Sequence, residues 1–247
     1  MKIIYPTVLL FMLLGCGGES FRASLDAEDQ FIVAKAHFNK RKYDKAKEGF
    51  QRLLFEHPGS DYIDDAQFYL AECYFEKRNY QEAQSEYKFM VDNFRDSPYA
   101  DDAHYKLILC YYKLTKPYYL DQELTNQTME EIELFLSKYP GTELRKEVME
   151  IRNKCRNKLA RKELENGKMY MKMEKYEPAR IYLNEVLEEY GDTEIKDEAI
   201  LLLGKCYEEE HKFDEAKEAY ERVLNESEDE KSKEEARERI RKLTTRK

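Results

Sequence analysis

The chain has no tryptophan, and among its 247 residues only 9 are Gly and 6 are Pro. So little punctuation argues against the many tight turns of a sandwich or barrel and against a low-complexity chain. There is no Gly-rich phosphate loop, no His-Glu-x-x-His and no paired-cysteine motif. Nucleotide cradling, zinc-dependent hydrolysis and thiol redox chemistry therefore find no foothold, and no enzyme is expected. The four histidines (His37, His57, His104, His211) are scattered. His37 and His104 fall on repeat helices, where packing or solvation accounts for them better than metal ligation. The net charge is −9 and no concentrated basic stripe stands out along the chain, so nucleic acid is not an expected partner.

What is present is charge and periodicity. Charged residues make up 38% and hydrophobic ones 42%, a balance suited to long amphipathic helices. Ser60-Asp61-Tyr62-Ile63-Asp64-Asp65-Ala66 returns 37 residues later as Ser97-Pro98-Tyr99-Ala100-Asp101-Asp102-Ala103. Leu70, Cys73 and Tyr74 return as Leu107, Cys110 and Tyr111. A fixed period of this size means one helix pair repeated, because a single pair cannot bury its apolar face alone. Within the unit small residues alternate with aromatics: Ala71 and Tyr74, then Tyr80, Ala83 and Tyr87. Small residues let antiparallel helices approach, and the rings fill the space beside them. The pattern resembles the tetratricopeptide repeat. It recurs at Ala34, Tyr43, Ala46, Phe50 and Pro58, at Gly167, Tyr170, Tyr176 and Ala179, and at Gly204, Tyr207, Phe213, Ala216 and Tyr220. The expected fold is all-α, a solenoid of about five helix pairs with a C-terminal capping helix.

Residues 1–15 form a separate device. Lys2 precedes an apolar run from Ile3 to Leu14, which is too short to span a bilayer comfortably and reads as a secretory signal. Leu13-Leu14-Gly15-Cys16 resembles a bacterial lipobox. On that resemblance Cys16 becomes the acylated N-terminus after cleavage, and several acyl chains hold where one would not. This covalent lipid is the only non-protein group expected. The competing reading is an ordinary cleaved signal with an incidental cysteine. Gly17, not Asp, follows Cys16, which by resemblance to Gram-negative lipoprotein sorting favours the outer membrane. Residues 16–25 are a lipidated tether, of which the polar part, Gly17 to Ser24, reaches roughly 15 Å.

The body divides into an N-terminal module, 26–141 (repeats one to three), and a C-terminal module, 142–247 (repeats four and five plus the cap). Helix pairs are expected over 26–40 with 43–56 and 61–77 with 80–94. The corners between pairs end in Ser60, Ser97, Thr142 and Thr193, residues suited to capping the next helix, and Pro98 suits a first helical position. Asp64, Asp65, Asp101 and Asp102 suit first turns, where the helix dipole favours carboxylates. The third repeat carries eight extra residues around Lys116–Asp121, a longer loop of the kind that often serves function. The fourth carries fourteen extra residues without Gly or Pro, about four helical turns or roughly 21 Å. These predict one long helix from about 143 to 173, protruding from the solenoid or joining two sub-modules. Residues 229–243 read as the polar capping helix with Ala236, Ile240 and Leu243 on one face, and Thr244 to Lys247 as a frayed end.

Cys73, Cys110 and Cys206 precede the repeat tyrosine in three repeats and read as packed small residues; equivalent points on stacked repeats lie too far apart for disulfides. Cys155 on the long helix has no evident partner. The sharper signal is aromatic. The fifth positions of the first three repeats are Phe31, Phe68 and Tyr105, and the twelfth are Phe38, Phe75 and Tyr112. Repeats four and five place Leu164, Met171, Leu201 and Glu208 there. In the tetratricopeptide pattern these positions face the concave surface, so six rings would form a double ladder for a peptide ligand. Alternatively they pack between neighbouring helices, and Tyr62 and Tyr99 at the helix starts are then the next candidates.

The layout of lipobox cysteine, short tether, five repeats, the 111–128 insertion and the long helix before Tyr170 resembles the BamD (YfiO/ComL) family of outer-membrane protein assembly factors. The resemblance implies a periplasm-facing lipoprotein of the β-barrel assembly machinery. It implies that the C-terminal repeats dock on a BamA-like barrel subunit beside other assembly lipoproteins. It also implies that the N-terminal repeats receive the C-terminal signal of unfolded outer-membrane proteins, an extended segment with alternating aromatics. The loop Pro117–Asp121 departs from the family in length and composition. A pilotin-like repeat lipoprotein escorting a secretin or pilus component shares the lipobox and repeats but should have more uniform spacing. An envelope enzyme with accessory repeats would need a catalytic domain for which the chain offers no segment.

Overall fold

The computed structural model describes residues 26–245. The signal segment, Cys16 and the tether lie outside the described residues. Among the described residues there are eleven α-helices and no strands. They pair in order: α1 (Ala27–Asn39) with α2 (Tyr43–Glu56), α3 (Ile63–Glu76) with α4 (Tyr80–Asn93), and α5 (Ala100–Leu114) with α6 (Glu123–Lys138). Next come α7 (Arg145–Lys172) with α8 (Tyr176–Glu189) and α9 (Lys196–Glu209) with α10 (Phe213–Glu226). The last helix, α11 (Glu230–Thr245), covers α10 and α9. Each helix packs on its successor, and the first helix of a pair also touches the first helix of the next. This is the expected all-α solenoid of five pairs and a cap. None of the described helices is long and apolar enough to cross a membrane.

Small residues set the spacing within a pair. Ala34, Ala46, Ala71, Ala83, Ala179 and Ala216 are all buried at the crossings. At Gly204 a Cβ would stand 2.5 Å from the Tyr220 ring, so only glycine permits that approach. The core is a row of five apolar clusters, each shared between one pair and the next first helix. Cys73, Cys110, Cys155 and Cys206 are free and buried within it. Burial pushes their thiols up to about 12 at Cys73, Cys110 and Cys206 and to about 11 at Cys155.

The turn inside four of the five pairs is a Schellman-type stop. Arg41 N–H donates to Phe38 O and Lys42 N–H to His37 O, and Arg41 takes φ 57°. Arg78 (φ 62°), Glu174 (φ 56°) and His211 (φ 60°) repeat it. All are non-glycine residues in left-handed backbone. The third pair lacks this stop and uses the longer loop instead. There Gln122, which is buried, donates to Pro117 O at 2.7 Å and Leu120 O at 3.0 Å. The loop is thereby braced, with Tyr119 and Leu120 exposed.

The corners differ from expectation. The helix-capping positions are held by Tyr62, Tyr99, Leu144 and Ile195, none with a side-chain cap, not by Ser60, Ser97, Thr142 and Thr193. The first three hydroxyls sit two residues earlier and accept from the N–H of Tyr62, Tyr99 and Leu144 in short local turns. Thr193 instead donates to Tyr190 O. Apolar packing explains the shift: Tyr62, Tyr99, Leu144 and Ile195 all join core clusters made with the preceding repeat. Pro98 lies in the corner turn and α5 begins at Ala100, so it is not a first helical residue. The acidic first turns at Asp64, Asp65, Asp101 and Asp102 are as expected.

The long helix runs over 28 residues. Its first half, through Val148, Ile151 and Cys155, shares a core with α5 and α6; its second half, through Ala160 and Leu164, shares one with α8 and α9. It therefore lies within the row of stacked helices, joining the third pair to α8 and α9, and does not protrude from it. The cap buries Ala236 and Leu243. It continues through Thr244 and Thr245, whose hydroxyls donate to carbonyls one turn back, where a frayed end was expected.

Candidate functional site

The structure joins part of the aromatic set and separates the rest. Phe31 lies over Tyr62, centroids 5.4 Å apart. Phe68 lies over Tyr99 at 4.5 Å with the planes 14° apart. Phe38 meets Tyr43 edge-on at 5.5 Å, and Phe75 meets Tyr80 likewise at 5.5 Å. Tyr105 and Tyr112 take no part in this network. They pack on the first half of α7, around Val148, Ile151 and Cys155. Phe68 is buried, and the other seven candidate rings are half-buried. Phe31 and Phe68 thus lie under the residue that begins the next pair, and Phe31 keeps part of its surface in solvent.

Tyr69, which the fifth-and-twelfth template passes over, is the hub. Its ring meets Phe38 at 5.2 Å, Phe68 at 5.4 Å, Phe50 at 5.9 Å, and Phe31 and Tyr99 at 6.1 Å. The doublet Phe68-Tyr69 was its only trace in the sequence. Cations stand over these rings. Lys35 Nζ is 2.9 Å from the Tyr69 centroid, Lys106 Nζ 4.5 Å from that of Phe75, and Lys158 Nζ 5.6 Å from that of Tyr112. Lys106 is paired with Glu72 at 2.8 Å. Lys35 and Lys158 form no ion pair with the described residues. Lys158 donates to Thr115 Oγ1 at 2.6 Å, and burial lowers its pKa.

Burial also raises the hydroxyls of Tyr105 and Tyr112 above the ordinary tyrosine range. At Tyr99 burial acts first and the hydrogen bond to Asp65, at 2.8 Å, adds to it. At Tyr62 desolvation is reinforced by Glu28. Nothing in this arrangement activates a nucleophile or holds a base. Among the described residues no group of three or more His, Cys, Asp or Glu is placed to hold a metal ion. His104 is buried against Glu131 at 3.1 Å and edge-on to Phe135 and Tyr139. What the surface offers is flat ring area with the ammonium group of Lys35 beside it.

Stacked helical repeats of this kind suit a protein-interaction scaffold. The family model described as outer membrane lipoprotein, YfiO, matches residues 24–223, and the chain belongs to that family. No curated protein matches the sequence. Among solved structures, the chain is similar to the TPR2AB-domain:pHSP90 complex of yeast Sti1, with 14% identity, a TM-score of 0.49, and coverage of 81% of this chain and 76% of that one. A TPR repeats protein from Bacteroides fragilis is 12% identical with a TM-score of 0.47, covering 90% of this chain and 99% of that one. A thermophilic TPR protein from Thermus thermophilus is 18% identical with a TM-score of 0.36, covering 87% and 98%. At these scores the fold assignment rests on the helices themselves.

Proposed function

We propose that this chain is a scaffold of the β-barrel assembly machinery, held at the outer membrane by a lipid on Cys16 and facing the periplasm. Residues 1–15 are its signal, and residues 16–25 its tether. Repeats one to three (26–141) receive unfolded outer-membrane proteins, and the C-terminal module (142–247) docks on a BamA-like barrel subunit beside other assembly lipoproteins. The observation that carries the client half is the ring network of the first two repeats, with Lys35 over Tyr69 and in no ion pair with the described residues. Rings supply area for alternating aromatic side chains, and the ammonium supplies a partner for a chain-terminal carboxylate. Membership of an outer membrane lipoprotein family supports the location.

Crosslinking and pull-down from native membranes test the partner. Recovery of a barrel subunit is expected, and recovery of a secretin ring instead would favour the pilotin-like alternative and sink this reading. Cys16→Ser should release the body from membranes while leaving its helicity intact. If that variant still fractionates wholly with the outer membrane, protein contacts and not lipid hold it there.

A further inference from the structure

Folding gathers cations that the sequence disperses. Lys40, Arg41, Lys42 and Lys45 surround the turn between α1 and α2, and Lys77 and Arg78 form the turn between α3 and α4. The two turns sit side by side: Lys77 is hydrogen-bonded to Asp44, and Tyr43 donates to Glu76 at 3.2 Å. Between them lies a cleft of about 300 Å³ lined by Arg41, Lys42, Tyr43, Asp44, Lys45 and Lys77. All six cations are exposed, and only Lys77 has an ion-pair partner among the described residues. In a chain of net charge −9 this edge is basic.

The fold does not ask for a cation at Lys40 or Arg41. Cationic side chains suit helix C-termini. Lys42 recurs as Lys175 and Lys212 in the turns of the fourth and fifth pairs, but Lys40 and Arg41 are replaced there by Met173 and Glu174 and by Glu210 and His211. Arg41 and Arg78 moreover sit at φ 57° and 62°, where glycine is favoured. Two arginines kept at strained backbone, in neighbouring turns, point to a use for their charge.

The same end of the solenoid has a bare helix face. Ile32 (54% exposed) and Val33 (48%) lie with Ala36 and Lys40 on one stripe of α1. Among the described residues no helix covers that stripe, whereas α11 covers the last pair. Glu28 and Asp29 begin α1, so the stripe runs from an acidic end to the basic turn. An apolar stripe beside clustered Lys and Arg is the signature of a surface that lies in a membrane interface.

We propose that this end is a membrane-docking face. The cations of the first two turns contact anionic phospholipid headgroups, and Ile32 and Val33 enter the headgroup boundary, with the acidic start of α1 tilted away. A lipid surface fits better than an acidic peptide because the charge is spread over two turns beside apolar surface. Membership of an outer membrane lipoprotein family, and the lipid proposed on Cys16 ten residues before Asp26, would also hold the body near a bilayer, and to that extent the docking rests on the proposed function. The inference stands independently of what the ring network binds.

The test uses residues 16–247 carrying Cys16→Ser, since among the described residues every buried one lies between Gln30 and Leu243. Sedimentation with phosphatidylcholine vesicles, with and without phosphatidylglycerol, is read as salt rises. Binding is expected only with the anionic lipid, and should fade as salt goes from about 0.05 to about 0.5 M. Arg41→Glu with Arg78→Glu should weaken it roughly tenfold or more. The fold should tolerate the change, because Glu174 already occupies the equivalent position. Lys40→Gln with Lys42→Gln, outside the strained positions, should weaken it less, with unchanged melting. Ile32→Ser with Val33→Ser should weaken it at every salt concentration. Equal binding to neutral vesicles, no binding at low salt, or full binding by the charge-reversed variant overturns the proposal. Capture of an acidic peptide by this edge with vesicles left free assigns it to a protein partner and overturns it as well.

Discussion

The Tyr220 hydroxyl donates to Glu208 at 2.6 Å, and in the equivalent place of the second pair Tyr87 donates to Glu72. Each carboxylate is also held by a cation from a later helix, Arg239 on α11 at 3.1 Å and Lys106 on α5 at 2.8 Å. A buried tyrosine thus ties its own pair to the helix that covers it. Tyr220→Phe should cost about 1–3 kcal/mol, because Glu208 loses one donor but keeps Arg239. Glu208→Ala should cost more, since it strands both the tyrosine hydroxyl and Arg239. Urea unfolding of both variants checks this; equal costs would mean that Arg239 contributes nothing to the tie.

Alkaline pH should destabilise the fold earlier than a helical chain without these groups. The thiols of Cys73, Cys110, Cys155 and Cys206 are raised from about 9 to about 11–12 by burial. Their folded forms hold protons that the unfolded chain releases, so their contribution is complete below about pH 9 and declines above it. Tyr87 and Tyr220 are raised for the same first cause and add to the decline above about pH 10. Melting temperature measured from neutral to alkaline pH should fall beyond about 9. Replacing all four cysteines by Ala should flatten the first part of that fall. An unchanged slope would assign it to the tyrosines alone.

The strained turns give a prediction of opposite sign. Arg78 and His211 adopt left-handed backbone with φ 62° and 60°. Arg78→Gly and His211→Gly should each raise stability by about 0.5–1 kcal/mol, and Ala at either position should bring no such gain. Thermal melts of the four single variants decide it. If glycine destabilises, the side chains hold contacts that outweigh the backbone strain.

The period, the fold and the long helix were legible because they are written in lengths and small residues. Ala71 and Ala83 mark a crossing whatever the side chains around them, and the eight extra residues before Thr128 can only be a loop. The corners were misread because Ser60 and Ser97 carry capping chemistry, while the register is set by Tyr62 and Tyr99 reaching back to Phe31 and Phe68. That contact spans two repeats and leaves no local mark. Tyr69 was missed because the template counts only its neighbour Phe68. The basic edge was invisible because its halves lie 37 residues apart and meet only when two turns stack.

The ring set can be divided by substitution. Phe68 is 8% exposed and lies flat under Tyr99, so Phe68→Ala should cost about 3–5 kcal/mol of stability. Tyr105 is half-buried against α7, and its truncation should cost less. Phe38 is half-buried beside Tyr69 and Lys35, so Phe38→Ala should weaken affinity for a C-terminal peptide ending in an aromatic residue by more than about 1 kcal/mol. Lys35→Ala should weaken it too, and amidating the peptide carboxylate should remove the difference between Lys35 and Ala. Melting by circular dichroism separates lost binding from lost fold. If Phe38→Ala and Lys35→Ala both melt normally and bind the peptide as tightly as the parent chain, the network is packing alone. The client surface must then lie elsewhere, and the braced loop that presents Tyr119 and Leu120 is the next surface to truncate.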